Sequence, residues 1–93
     1  MLSLLKPLSM FEAVIRNKSF TKAANEHQVS SSAISHEVES LEEYLGVKLL
    51  VRSDYAMTLT EEGSSLYKDL AKSKTLLERG FKSLKASKSP THH

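Results

Sequence analysis

Between Phe20 and Leu41 three residues stand at offsets that few folds require: Ala24, then Val29 five positions on, then Ile34 ten positions past Ala24. Two short helices that cross close to their junction need a small side chain at the crossing. They also need an apolar residue in the turn and an apolar anchor in the first turns of the second helix. Ala24, Val29 and Ile34 supply these in that order, so the spacing predicts a helix-turn-helix packed through those three side chains. Ser30-Ser31-Ser32 opens the second helix. Small hydroxyl residues there let a helix N-terminus approach phosphates and base edges.

The flanking pattern completes a small, mainly helical head. Leu4, Leu8, Phe11 and Ile15, with Val14 beside them, recur at helical spacing and predict an amphipathic helix over 6–17, with Pro7 suited to its first turn. Ser19 is placed to cap a second helix from Phe20 to His27, with Phe20, Ala23 and Ala24 facing inward. Gln28 and Val29 form the turn, and Ser30 caps a third helix that runs to Leu45. Ile34, Val38, Leu41 and Leu45 make its apolar stripe, and Gly46 stops it in a left-handed conformation. Val47–Val51 then reads as a short strand, Arg52–Tyr55 as a turn, and Ala56–Leu59 as a second strand, which together make a two-stranded wing. Thr60 is placed as the cap of a long fourth helix over 61–86, with Glu61 and Glu62 at the favourable end of its dipole. Leu66, Leu70, Leu77, Phe81 and Leu84 form a narrow stripe between Lys-rich flanks, the pattern of a helix–helix seam. The expected organisation is thus a winged helix-turn-helix head over 1–60, a dimerisation helix over 61–86 and a disordered tail over 87–93.

Charge alone would not point to nucleic acid. The net charge is +2, and through Thr60 six Lys/Arg stand against seven Asp/Glu, so the positive excess lies in the fourth helix. There is no cysteine and no apolar run long enough to span a membrane, which suits a cytoplasmic protein without disulfides. No nucleophile has a placed base, no carboxylate pair falls in a predicted cleft, no Gly-rich phosphate loop is present, and an enzyme is not expected. His27, His36, His92 and His93 lack ligand spacing, so neither metal nor cofactor is expected.

The ordered pieces Leu8-x-x-Phe11, Ser19-Phe20-Thr21-x-Ala23-Ala24, Val29-Ser30-x-Ser32-Ala33-Ile34-Ser35, Leu41-Glu42-x-x-Leu45-Gly46-Val47-x-Leu49-Leu50-x-Arg52 and Leu59-Thr60-x-x-Gly63 resemble the LysR-type transcriptional regulators. The resemblance runs over residues 4–85. His36-Glu37-Val38 and Ser40-Leu41-Glu42 are similar to the subgroup of glycine-cleavage activators and beta-lactamase regulators. It implies a winged helix-turn-helix and a linker helix that pairs with its twin. It also implies a homodimer whose two recognition helices read a pseudo-palindromic double-stranded DNA site through successive major grooves. Members carry a large C-terminal effector-binding domain. None is expected in this segment, hence no small-molecule site, and the chain would be a DNA-binding fragment or a naturally short paralogue. In the second case it would act by heterodimerising with full-length relatives and blocking them.

In the register of that resemblance Ser31, Ser32 and Ser35 project toward DNA, while Ser30 is chiefly the cap. Thr21 and Lys22 touch backbone phosphate. Arg52, at the end of the first wing strand, reaches phosphate or minor groove, and His36 can donate to a purine acceptor or a phosphate. The bland alternatives are solvated serines, a solvated His36, and an Arg52 ion-paired to Asp54 or Glu12. Glu37, Glu39, Glu42 and Glu43 are expected to form an exposed face turned away from DNA, with Glu37 nearest the groove. The chain departs from the pattern where members have Gln and Arg, at Ser31 and His36. It departs also in a wing that holds Asp54-Tyr55-Ala56 in place of basic residues, and at His27 where Leu is usual; His27 is expected to be half-buried.

Overall fold

The computed structural model describes residues 4–52 and 57–88. The elements run in order as α1 (Leu5–Asn17), α2 (Phe20–His27), α3 (Ser31–Leu45), β1 (Leu50–Arg52), β2 (Met57–Leu59) and α4 (Glu61–Lys88). Hydroxyls open three of the four helices. Ser19 Oγ accepts from Lys22 N at 3.0 Å, Ser30 Oγ from Ala33 N at 3.1 Å, and Thr60 Oγ1 from Gly63 N at 3.0 Å. Each satisfies a backbone donor that the helix itself cannot.

The helix ends are less regular than the starts. Gly46 closes α3 at φ 75°, as its lack of a Cβ allows. Lys18 and Gln28 adopt the same left-handed conformation at φ 54° and 59° without that freedom. At both, the chain folds back to satisfy helix carbonyls: Lys18 N donates to Ile15 O, and Val29 N donates to Ala24 O at 3.0 Å. The first bond turns α1 into α2 and the second turns α2 into α3, with no glycine at either turn.

The core is built around α1, which packs on both α2 and α3. Phe11, Ala13 and Val14 meet Ala23 and Ala24 of α2 and Ile34, Val38 and Leu41 of α3, with Leu49 and Leu50 closing the base. Ala24 and Ile34 are buried as the spacing demands, but Val29 is 36% exposed, so the turn residue does not complete the packing triad. Two of the three contacts suffice because the backbone bond from Val29 N to Ala24 O fixes the turn. Phe20 is half-buried at the core's edge.

The wing is shorter than expected. β1 and β2 pair antiparallel with Leu50 opposite Leu59 and Arg52 opposite Met57. Val47, Lys48 and Leu49 are not strand. Their peptide groups are spoken for: Leu49 N and Leu50 N donate to the Glu42 carboxylate at 2.7 and 3.1 Å, while Lys48 O and Leu49 O accept from the Thr60 hydroxyl and Thr60 N. Glu42 is therefore buried and structural, which corrects its expected place on an exposed acidic face. Its charge is met by two backbone donors and by Lys48 Nζ at 3.9 Å, the condition under which burying a carboxylate is tolerated. The expected turn through Tyr55, the Ala56 end of the second strand, Asp54 and the histidine-bearing tail lie outside the described residues.

α4 begins inside the head and leaves it. Gly63 is buried, and a Cβ there would fall onto the Leu49 carbonyl oxygen, so only glycine lets the helix start this close. Leu66, Tyr67 and Leu70 pack against the head's own core. From Ala71 through Ser87 every residue is exposed, in one continuous helix that runs past the expected end at residue 86. The molecule accordingly measures 56 × 25 × 23 Å.

Candidate nucleic-acid interface

One face of the first two turns of α3 stands clear of the rest of the chain, while Ile34 on the other is buried in the core. Ser30, Ser31, Ser32 and His36 are exposed, and Ser35 is half-buried. Helical geometry puts Ser31, Ser32 and Ser35 on one face, with His36 one turn beyond Ser32. The N–H groups of Ser31 and Ser32 belong to the first turn, where a helix has no internal acceptor to offer. Ser30 caps, and its Oγ also lies 3.3 Å from Ser32 Oγ, so the two hydroxyls form a small polar unit at the positive end of the helix dipole. Thr21 and Lys22 are exposed in the first turn of α2.

What holds α2 beside α1 is partly polar. Arg16 of α1 bonds Glu12 at 2.9 Å and Glu26 of α2 at 3.0 Å, and Asn17 Nδ2 donates to the same Glu26 carboxylate at 3.3 Å. The Arg16 and Asn17 hydrogen bonds hold the Glu26 carboxyl down at about 2, and the two carboxylates raise Arg16 further above its ordinary value. Glu12 also lies 3.9 Å from Lys74, linking α4 to α1. Glu12 is thus engaged by Arg16 and Lys74, and the expected alternative of an Arg52–Glu12 pair is not what forms.

Arg52 instead reaches across the head. Its Nη2 donates to Ser35 Oγ at 2.6 Å, and its guanidinium carbon sits 3.9 Å from the centroid of the Phe20 ring. One side chain of the wing thereby touches α2 and α3 together. The sequence pairs neither Ser35 nor Phe20 with Arg52, because both lie far from it along the chain and no local pattern links them. Glu37 is half-buried and paired with Lys6 of α1 at 3.5 Å, which neutralises the acidic residue nearest the hydroxyl face. His27 is half-buried, as its place in the sequence suggests.

Of the residues expected in a seam on the fourth helix, the structure separates two groups. Leu66 and Leu70 are half-buried against the head's own core. Leu77, Phe81 and Leu84 are exposed at 58%, 59% and 69%, joined by Leu76 at 63%, which lies outside the narrow stripe read from spacing. No described helix is long and apolar enough to cross a membrane.

The family model for bacterial regulatory helix-turn-helix proteins of the lysR family matches residues 5–64. The chain is 40% identical over 82 residues to the glycine cleavage system transcriptional activator of Escherichia coli K12, covering 88% of this chain and 27% of that protein. It is 52% identical over 62 residues to the HTH-type transcriptional activator AmpR of Pseudomonas aeruginosa, covering 67% of this chain and 21% of that one. The chain thus spans about a quarter of the length of these relatives. Among solved structures, the BenM DBD in its complex with catB site 1 DNA superposes with a TM-score of 0.83 at 32% identity, over 95% of this chain and 98% of that one.

Proposed function

The chain belongs to the lysR family of bacterial regulatory helix-turn-helix proteins, a family of transcriptional regulators and not of enzymes, and from that premise we propose how it engages its target. It binds double-stranded DNA sequence-specifically, as a homodimer whose two α3 helices enter successive major grooves of a pseudo-palindromic site. The observation that carries this reading is the open face of the first half of α3: the Ser31 and Ser32 hydroxyls and the His36 imidazole exposed at the positive end of a helix, with Glu37 paired to Lys6. Ser31, Ser32, Ser35 and His36 meet base edges, and Ser30 and the first-turn N–H groups meet phosphate. Thr21, Lys22 and the unused N–H groups of Arg52 hold the flanking backbone. A structural relative at 32% identity that was crystallised with DNA supports the assignment.

Dimerisation rests on the outer half of α4. Leu76, Leu77, Phe81 and Leu84 are too apolar to stay in water along one helix, and a second copy of the same helix is the self-complementary partner. The same stripe would let the chain pair with a full-length relative and block it, which is the second reading. Equilibrium binding to duplexes selected from a randomised pool separates the two. A regulator binds a palindromic duplex tightly, with affinity that falls steeply with salt. A blocking partner alone binds weakly and without sequence preference.

A further inference from the structure

We propose that Arg52 fixes Ser35 as a hydrogen-bond donor, so that the base Ser35 meets is one presenting a major-groove acceptor (a purine N7, a guanine O6 or a thymine O4) and not cytosine, which presents only its amino donor there. The inference rests on the DNA-binding reading and goes beyond it, by assigning Arg52 as the positioning residue for one step of base discrimination.

A serine hydroxyl is ambiguous by itself, since it has one hydrogen to give and lone pairs to accept with. That ambiguity is why a serine-rich recognition surface says little about sequence preference. Ser35 differs from Ser31 and Ser32 in having a partner whose direction is beyond doubt. A guanidinium can only donate. The Arg52 Nη2–Ser35 Oγ contact of 2.6 Å therefore occupies a Ser35 lone pair and turns its O–H hydrogen elsewhere. Accepting a charge-assisted bond also polarises the hydroxyl and strengthens its own donation. The cation beside Oγ repels a second donor, which disfavours the cytosine amino group and the adenine amino group at that position.

Arg52 is held in place for this. It ends β1, where Met57 is its antiparallel partner, and its guanidinium lies over the Phe20 ring at 3.9 Å. A free arginine would lose much rotamer freedom to keep one hydrogen bond. Stacking on an aromatic at the start of α2 removes part of that cost before DNA arrives. Ser35 itself is half-buried under this contact, whereas Ser31, Ser32 and His36 are open. The wing thus sets the polarity of one hydroxyl on the recognition helix.

The test uses the whole chain and duplexes first selected by it from a randomised pool, then changed one base pair at a time. Ser35→Ala locates the position that Ser35 reads, as the one where discrimination collapses. There the unaltered protein is expected to favour an acceptor-presenting base over cytosine on the order of tenfold. Arg52→Lys keeps the charge but not the fork or the stacking, and is expected to flatten that one preference while preferences elsewhere persist. Phe20→Leu, which removes the aromatic face under Arg52 and leaves both polar side chains in the sequence, is expected to weaken the same preference partway. A merely structural role for Arg52 would lower affinity for every duplex alike and leave the ranking of bases untouched, and that result overturns the proposal. A preference for cytosine at the Ser35 position overturns it as well. Binding to no duplex at all, by a folded protein, would instead refute the DNA-binding reading on which it stands.

Discussion

The head and the outer half of α4 are built from similar residues to opposite effect. In the head, Phe11, Val14, Ile34, Val38, Leu41 and Leu49 are buried to within 1% of completely. In the outer helix, Leu76, Leu77, Phe81 and Leu84 are all more than half exposed. The head buries its core residues within one chain, leaving Leu5, Tyr44 and Val51 as scattered exposed side chains, and the buried Glu42 carboxylate and the hydroxyl caps satisfy backbone donors. The outer helix leaves its leucines uncovered. The division falls at Leu70: the apolar residues of α4 up to it pack on the head, the helix from Ala71 through Ser87 is exposed, and in the proposed dimer the first carries folding and the second assembly.

The strongest way to break that division is from the inside. Phe11→Ala empties the centre of the head and is expected to lose about 3–5 kcal/mol, read from urea denaturation. Glu42→Ala strands the N–H groups of Leu49 and Leu50 and is expected to cost about 2–4 kcal/mol, with Glu42→Gln milder because its amide oxygen still accepts. On the other side of the division, Phe81→Glu is expected to give a monomer by sedimentation while the head's helical signal and Gly63-dependent packing persist. Its affinity for a palindromic duplex is then expected to fall roughly 10²-fold, as the second half-site is no longer tethered. An unchanged dimer in Phe81→Glu would move the seam elsewhere.

The smallest effect concerns the polar tie between α1 and α2. The Glu26 carboxyl is held below its ordinary 4.5, at about 2, by Arg16 and Asn17. A carboxyl depressed on folding contributes stability above its unfolded value and loses it as pH falls toward the folded one. The melting temperature of the unaltered protein should therefore exceed that of Glu26→Gln near neutral pH, with the gap closing between about pH 4.5 and pH 2. Because Glu26 is exposed, the gap should also shrink in high salt.

How much of this was legible in the sequence depended on range. Caps are local chemistry, and Ser19, Ser30, Thr60 and Gly46 each act where the sequence placed them. Helix boundaries came from those caps. What escaped was decided by contacts between distant residues. Glu42 looked like one member of an acidic run, and only the fold brings Leu49 N and Leu50 N to it. The same contact removed Val47 through Leu49 from the expected strand. Leu66 and Leu70 continue the leucine stripe by spacing, and what spacing does not show is that α4 starts inside the head, so that these two also pack against the head's own core. On the candidate interface, the exposure of Thr21, Lys22, Ser31, Ser32 and His36 was readable from helical phase. The Ser35–Arg52–Phe20 contact was not, since it joins three elements that the chain visits separately.

The account turns on where duplex DNA lies against the head. Titrating a selected palindromic duplex into isotope-labelled protein and tracking the backbone amide resonances would locate it directly. The expected shifts are largest at Ser30, Ser31, Ser32, Ser35 and His36, smaller at Thr21, Lys22 and Arg52, and negligible at Leu77, Phe81 and Leu84. Shifts concentrated on the outer half of α4, with the start of α3 unmoved, would contradict it.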